Sequence, residues 1–101
     1  MWAQLISLRL KPGKGDQLPE LAEQLRLAER PDSGLVRSTT LRDQNDPSRV
    51  FAMVVFESEE RARERENDPT RADQLASIRE LMADLFEGPP EFTDLEVISE
   101  H

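Results

Sequence analysis

The chain has no cysteine and no tyrosine, and its one histidine, His101, is the last residue of the sequence. Without thiols, disulfides, thiolate nucleophiles and thiolate metal sites are excluded. Without an internal histidine, the commonest acid–base group is missing as well. Zinc and calcium-loop spacings are absent, and Asp43 and Asp46 sit in a segment that reads as a surface loop, so no metal is expected. An excess of basic charge is also lacking: 13 Lys and Arg face 21 Asp and Glu, for a net charge of -8. That balance repels phosphate backbones and anionic lipid, so neither nucleic acid nor membrane is an expected partner. No apolar run approaches the roughly 20 residues of a membrane span. The first residues show no charged stretch leading into an apolar one, so no secretion signal is read and a cytoplasmic location is expected.

What is present is enough for one small domain over residues 1–101, with 37% apolar and 34% charged residues. Residues 2–10 read as a mostly apolar strand, ended by Lys11-Pro12-Gly13-Lys14-Gly15. Asp16 is a candidate cap for a helix with Pro19 in its first turn and Leu18, Leu21, Ala22, Leu25 and Ala28 along one stripe. Pro31-Asp32-Ser33-Gly34 stops it. Residues 35–42 form a polar, edge-like strand, and 43–48 a hairpin loop. Arg49 then leads into the apolar run Val50 to Phe56, which must be central because it is apolar on both parities.

Ser58 can cap a helix from Glu59 to Glu66 whose only apolar residue is Ala62. Such a helix gains little from apolar packing and reads either as a solvated face or, less economically, as a mobile lid. Asn67-Asp68-Pro69 breaks it, and Thr70 is the candidate cap of a further helix carrying Leu75, Ile78, Met82, Leu85 and Phe86. Gly88-Pro89-Pro90 should end that helix, leaving Phe92 to Ile98 as a last edge strand. The order βαββ(αα)β predicts an α+β, ferredoxin-like fold, a four-stranded antiparallel sheet with its helices on one face. The other face has no element to cover it. A second copy packed sheet to sheet, closing an α/β barrel, is the economical solution, so a homodimer is expected.

With these elements in place, the chain resembles the dimeric α/β-barrel proteins, and among them the antibiotic biosynthesis monooxygenases. The resemblance spans nearly the whole chain. It rests on the strand ending in Lys11-Pro12-Gly13, the Asn45-Asp46-Pro47 hairpin, the stretch Phe56-Glu57-Ser58-Glu59-Glu60 and the Asp68-Pro69 break. It implies oxidation of a small, electron-rich aromatic or quinol-type molecule by O₂ in a helix–sheet pocket, with no cofactor. Haem-degrading relatives use a histidine, an asparagine and a tryptophan. Here the helix histidine falls at Arg65, the tryptophan after the third strand at Phe56 and the acid two residues earlier at Val54. The first-strand asparagine falls near Leu5 or Ile6, with Gln4 and Ser7 as the nearest polar side chains. Arginine offers iron no lone pair, so the haem-degrading reading fails.

The candidate substrate-binding set is therefore Gln4, Ser7, Arg9, Arg37, Thr39, Phe56 and Arg65, with no catalytic residue assigned. Arg9 reads either as an anion clamp or, more economically, as a rim residue paired with an acid. Arg37 and Thr39 form one polar row of their strand, while Trp2 either stacks on a ligand or fills a gap. Two functions are open. One is a cofactor-independent monooxygenase that stabilises enolate or superoxide charge through Arg9, Arg37 and nearby hydroxyls. The other is a non-catalytic barrel that binds a ligand or serves as an accessory subunit, as the missing histidine, tryptophan and acid suggest.

Overall fold

The computed structural model describes residues 1–29 and 32–101; Pro31, expected to help end the first helix, lies outside them. Four strands, β1 (Trp2–Leu10), β2 (Leu35–Arg42), β3 (Arg49–Phe56) and β4 (Phe86–Glu96), pair antiparallel in the order β2-β3-β1-β4. The two most apolar strands are the central ones, as the ferredoxin-like order requires. Helices α1 (Leu18–Ala28), α2 (Glu59–Glu66) and α3 (Pro69–Leu85) complete the fold.

Strand alternation gives the sheet two different faces. Leu8 and Leu10 of β1, Val50 of β3 and Phe86 of β4 point one way, where Leu21 of α1 and Ile78 and Leu85 of α3 close the core over them. Leu85 and Val50 are sealed completely. Ala3, Leu5, Ser7, Phe51, Met53 and Val55 point the other way. The expectation that nothing in the chain covers this second face needs correcting at one end. After β4, Val97 N donates to Met1 O, and the Glu100 carboxylate lies 2.8 Å from Arg37 on the far edge strand. Residues 97–100 thus cross from one edge of the sheet to the other, on the face of the paired Ala3 and Val55, which are both buried.

Three local readings differ from the structure. Asp16 lies within a 3₁₀ turn (Gly15–Gln17), so α1 starts later and no side chain caps it. The cap of α3 is Asp68 and not Thr70: its carboxylate accepts from Thr70 N at 3.0 Å and Thr70 Oγ1 at 2.7 Å. The reason is Pro69, which forces the residue before it out of the helical region and so makes that residue the cap. Finally, α3 ends before Gly88-Pro89-Pro90. Phe86 already pairs with Leu10 in the sheet, and β4 runs on to Glu96, earlier at both ends than the expected 92–98. Lys11 secures the junction, its N–H donating to Leu85 O at 2.8 Å and its ammonium to Ala83 O at 3.0 Å. The glycine and prolines form a bulge instead, lying between Glu87 opposite Arg9 and Glu91 opposite Ser7.

Candidate functional site

Helix α2 has no apolar stripe with which to dock. Ser58 starts it, its hydroxyl accepting from Arg61 N at 3.2 Å, and Ala62 is its buried residue. Its arginines do the rest. The Arg65 guanidinium stands 5.2 Å from the Phe56 ring centre, and Arg63 stands 5.2 Å from that of Trp2. The two rings are themselves neighbours, with centroids 6.0 Å apart and planes inclined at 44°. Arg63 Nη2 also donates to Asp94 of β4 at 3.1 Å, and Asp94 accepts from Gln4 Nε2 at 3.0 Å. The helix-side face of the sheet therefore carries, at its Trp2 end, two aromatic rings and an amide–carboxylate pair under two guanidiniums. Hydrogen bonds from Arg63 to Glu66, and less strongly to Asp94, raise the Arg63 pKa.

Arg65 faces a second group as well. Its Nε donates to both oxygens of Glu29, at 2.7 and 3.0 Å, and Arg71 Nη1 reaches the same carboxylate at 3.2 Å. Glu29 follows directly on α1, so this cluster ties α1, α2 and α3 together. Ser33 Oγ also donates to Glu29, at 3.2 Å. Burial first, and the charge of Arg65 second, lower the Arg71 pKa, against the pull of Glu29. A cavity of ≈ 310 Å³ opens beside the cluster, with Arg61, Arg65, Arg71 and Glu29 in its lining.

The seven residues expected to bind substrate divide between the two faces. Gln4, Phe56 and Arg65 come together at the Trp2 end, below α2. Ser7, Arg9, Arg37 and Thr39 lie on the opposite face by strand alternation, and two of them have firm partners. Arg9 donates to Ser48 Oγ at 2.7 Å and lies 3.6 Å from Asp46, while Arg37 holds Glu100. Thr39 stands opposite Met53, and Ser7 opposite Phe51. Arg63, Asp94, Glu29 and Arg71 were missing from the expected set. In the sequence, α2 is marked as functional only through Arg65, at the position of the family's helix histidine, and through the lid reading of its polar composition. Among the described residues, no group of three or more His, Asp or Glu side chains is placed to hold a metal ion, and no helix is long and apolar enough to cross a membrane.

Comparison with known proteins adds to this geometry. The profile of the antibiotic biosynthesis monooxygenase family matches residues 1–75. No curated protein sequence matches the chain. Among solved structures, a candidate antibiotic biosynthesis monooxygenase from Nitrosomonas europaea is similar at a TM-score of 0.76 and 16% identity, covering 98% of this chain and 100% of its own. A corresponding protein from Bordetella bronchiseptica gives 0.76 at 18% identity, covering 97% of each chain. SnoaB, a cofactor-independent oxygenase from Streptomyces nogalater solved as a point mutant, gives 0.72 at 15% identity, covering 98% of this chain and 94% of its own. At these identities the solved structures speak for the fold.

Proposed function

The chain belongs to the antibiotic biosynthesis monooxygenase family, and from that premise we propose that it is a cofactor-independent oxygenase of a small aromatic or quinol-type molecule. The substrate lies on the helix side of the sheet, beside Phe56. The observation that carries this reading is the pair of guanidiniums, Arg63 and Arg65, poised over the rings of Trp2 and Phe56. The similarity to SnoaB supports the cofactor-free chemistry. An electron-rich substrate can supply the electrons itself: in an anthrone, O₂ converts the ring methylene to a carbonyl and its second oxygen leaves as water. Trp2, only partly buried, offers its ring to a flat substrate, with Phe56 buried behind it. The cations lower the pKa of the bound substrate, whose proton passes to solvent water, and then stabilise the superoxide formed when the anion gives one electron to O₂. In this reading Arg65 and Arg63 take the charge-stabilising role first considered for Arg9 and Arg37. The protein works as one domain over residues 1–101, in the cytoplasm, as a homodimer whose second copy covers the face bearing Ser7, Arg9, Arg37 and Thr39.

Oxygen consumption with a panel of hydroquinones and anthrones tests the reading. Turnover is expected, and Arg65→Gln should lower kcat by about a hundredfold, whereas Arg26→Gln, on the solvent side of α1, should leave it unchanged. An inert panel, or an Arg65→Gln enzyme as fast as the parent, would overturn it.

A further inference from the structure

Helix α2 buries Ala62, and its other anchors are guanidiniums. Arg65 donates to Glu29 at 2.7 and 3.0 Å, Arg63 to Asp94 at 3.1 Å, and Arg61 to the Asp32 carbonyl. Between α2 and the end of α1 lies the ≈ 310 Å³ cavity in place of packed side chains. Gly34 lets the helix settle this close, since a Cβ there would stand 2.7 Å from Arg61 Cβ. The close approach leaves Arg61 Nε buried and, among the described residues, without a hydrogen-bond partner. That counts against the docked position, because water would satisfy this donor if the helix moved away. Both ends of α2 are breaks: Ser58 opens it, and Asp68 caps α3 afresh. Its guanidiniums, meanwhile, stand 5.2 Å from the ring centres of Trp2 and Phe56. A flat molecule stacked between a ring and a cation needs about 7 Å, two contact distances of about 3.5 Å. The docked helix therefore closes the ring faces it covers.

We propose that α2 is a lid over Trp2 and Phe56, latched by Glu29 and Asp94, which lifts as a unit to admit the substrate. The proposal rests on the oxygenase reading for what enters, but not for the motion itself. Of the two latches Glu29 is the firmer. Its pair with Arg65 is only 15–19% exposed, whereas Arg63 and Asp94 are nearly half exposed. An exposed pair yields readily to salt and water, and a sheltered one holds until its partner is removed. With Ala62 as its buried apolar contact, the helix loses little apolar burial by lifting. When it settles again, its guanidiniums come to rest over the substrate instead of over the rings.

The chain has no cysteine, so a single introduced thiol reports on a single place. In Ala62→Cys the thiol is buried while the lid is down and reacts with a disulfide reagent such as DTNB only when α2 lifts. In Val50→Cys it is sealed in the core with Leu21, Ile78 and Leu85 and reacts only on global unfolding. Labelling of Ala62→Cys should be the faster of the two. Adding Glu29→Gln should quicken it about tenfold and leave Val50→Cys labelling unchanged. In the unmutated chain, acrylamide quenching of Trp2, the only tryptophan, should rise with sodium chloride, because the quencher is neutral and the latch is not. Equal labelling of the two thiols, an equal effect of Glu29→Gln on both, or quenching that ignores salt would each overturn the lid. So would quenching that rises while Ala62→Cys stays sealed, since Arg63 would then be swinging alone. The quenching measurement decides the matter even if Ala62→Cys does not fold. Because no turnover is read, failure here leaves the oxygenase reading untouched.

Discussion

Asp46 shows how a single exposed carboxylate is tuned without burial. In the β2–β3 hairpin its Oδ1 accepts from Ser48 Oγ at 2.6 Å and from Ser48 N at 3.2 Å, and Arg9 stands 3.6 Å from its other oxygen. The two Ser48 hydrogen bonds, and then the Arg9 charge, hold its pKa below the usual carboxylate range. A carboxyl group whose pKa falls on folding stabilises the native state above its unfolded pKa, near 4, and loses that contribution as pH drops through the folded value. Ser48→Ala should therefore move the Asp46 titration back towards the ordinary range, read from its carboxyl carbon shift against pH. An unmoved titration would refute the role of the hydroxyl. Asn45-Asp46-Pro47 is legible in the sequence as a hairpin. That Arg9, from a strand 37 positions earlier, would close on it is not.

At the scale of elements, α2 and α3 are held by different forces. Helix α3 buries Ile78 and Leu85 in the core, and the regular spacing of those residues made it readable in advance. Helix α2 buries Ala62 and otherwise depends on charge: Arg63 to Asp94, Arg65 to Glu29, and both arginines over rings. Its amphipathic pattern is nearly absent, because its partners lie on α1, β1, β3 and β4, tens of positions away in sequence. Exposed ion pairs are screened by salt, while apolar burial is not. Amide exchange within residues 59–66 should therefore quicken as salt is raised at constant pH, with exchange in the Ile78–Leu85 half of α3 unchanged. Equal behaviour of the two helices, measured by hydrogen-exchange mass spectrometry, would contradict docking by charge. The start of β4 was misread for a related reason. Gly88-Pro89-Pro90 looks like a helix stop, yet Phe86 had already been drawn into the sheet by its pairing with Leu10.

For the whole molecule, the strand pattern separated a helix-covered face from an uncovered one, and the expected set of binding residues straddled both. Periodicity tells which residues share a face, but not which face holds the site. Leu5, Phe51 and Met53 remain only half-buried on the open face, and the crossing of residues 97–100 covers the end near Ala3 and Val55. Native mass spectrometry at micromolar concentration should give the mass of the proposed dimer, and Met53→Glu should give a folded monomer. A monomeric parent protein would remove the barrel. The irregular edges of the sheet limit assembly in another way. On one side, the pairing of β4 slips at Gly88-Pro89-Pro90, where two residues have no N–H to offer; on the other, the pairing of β2 slips between Leu35 and Arg37. An intruding strand finds no even ladder on either margin, which discourages the open-ended stacking that leads to fibrils. Any association through the flat of the sheet uses up that surface once and then stops.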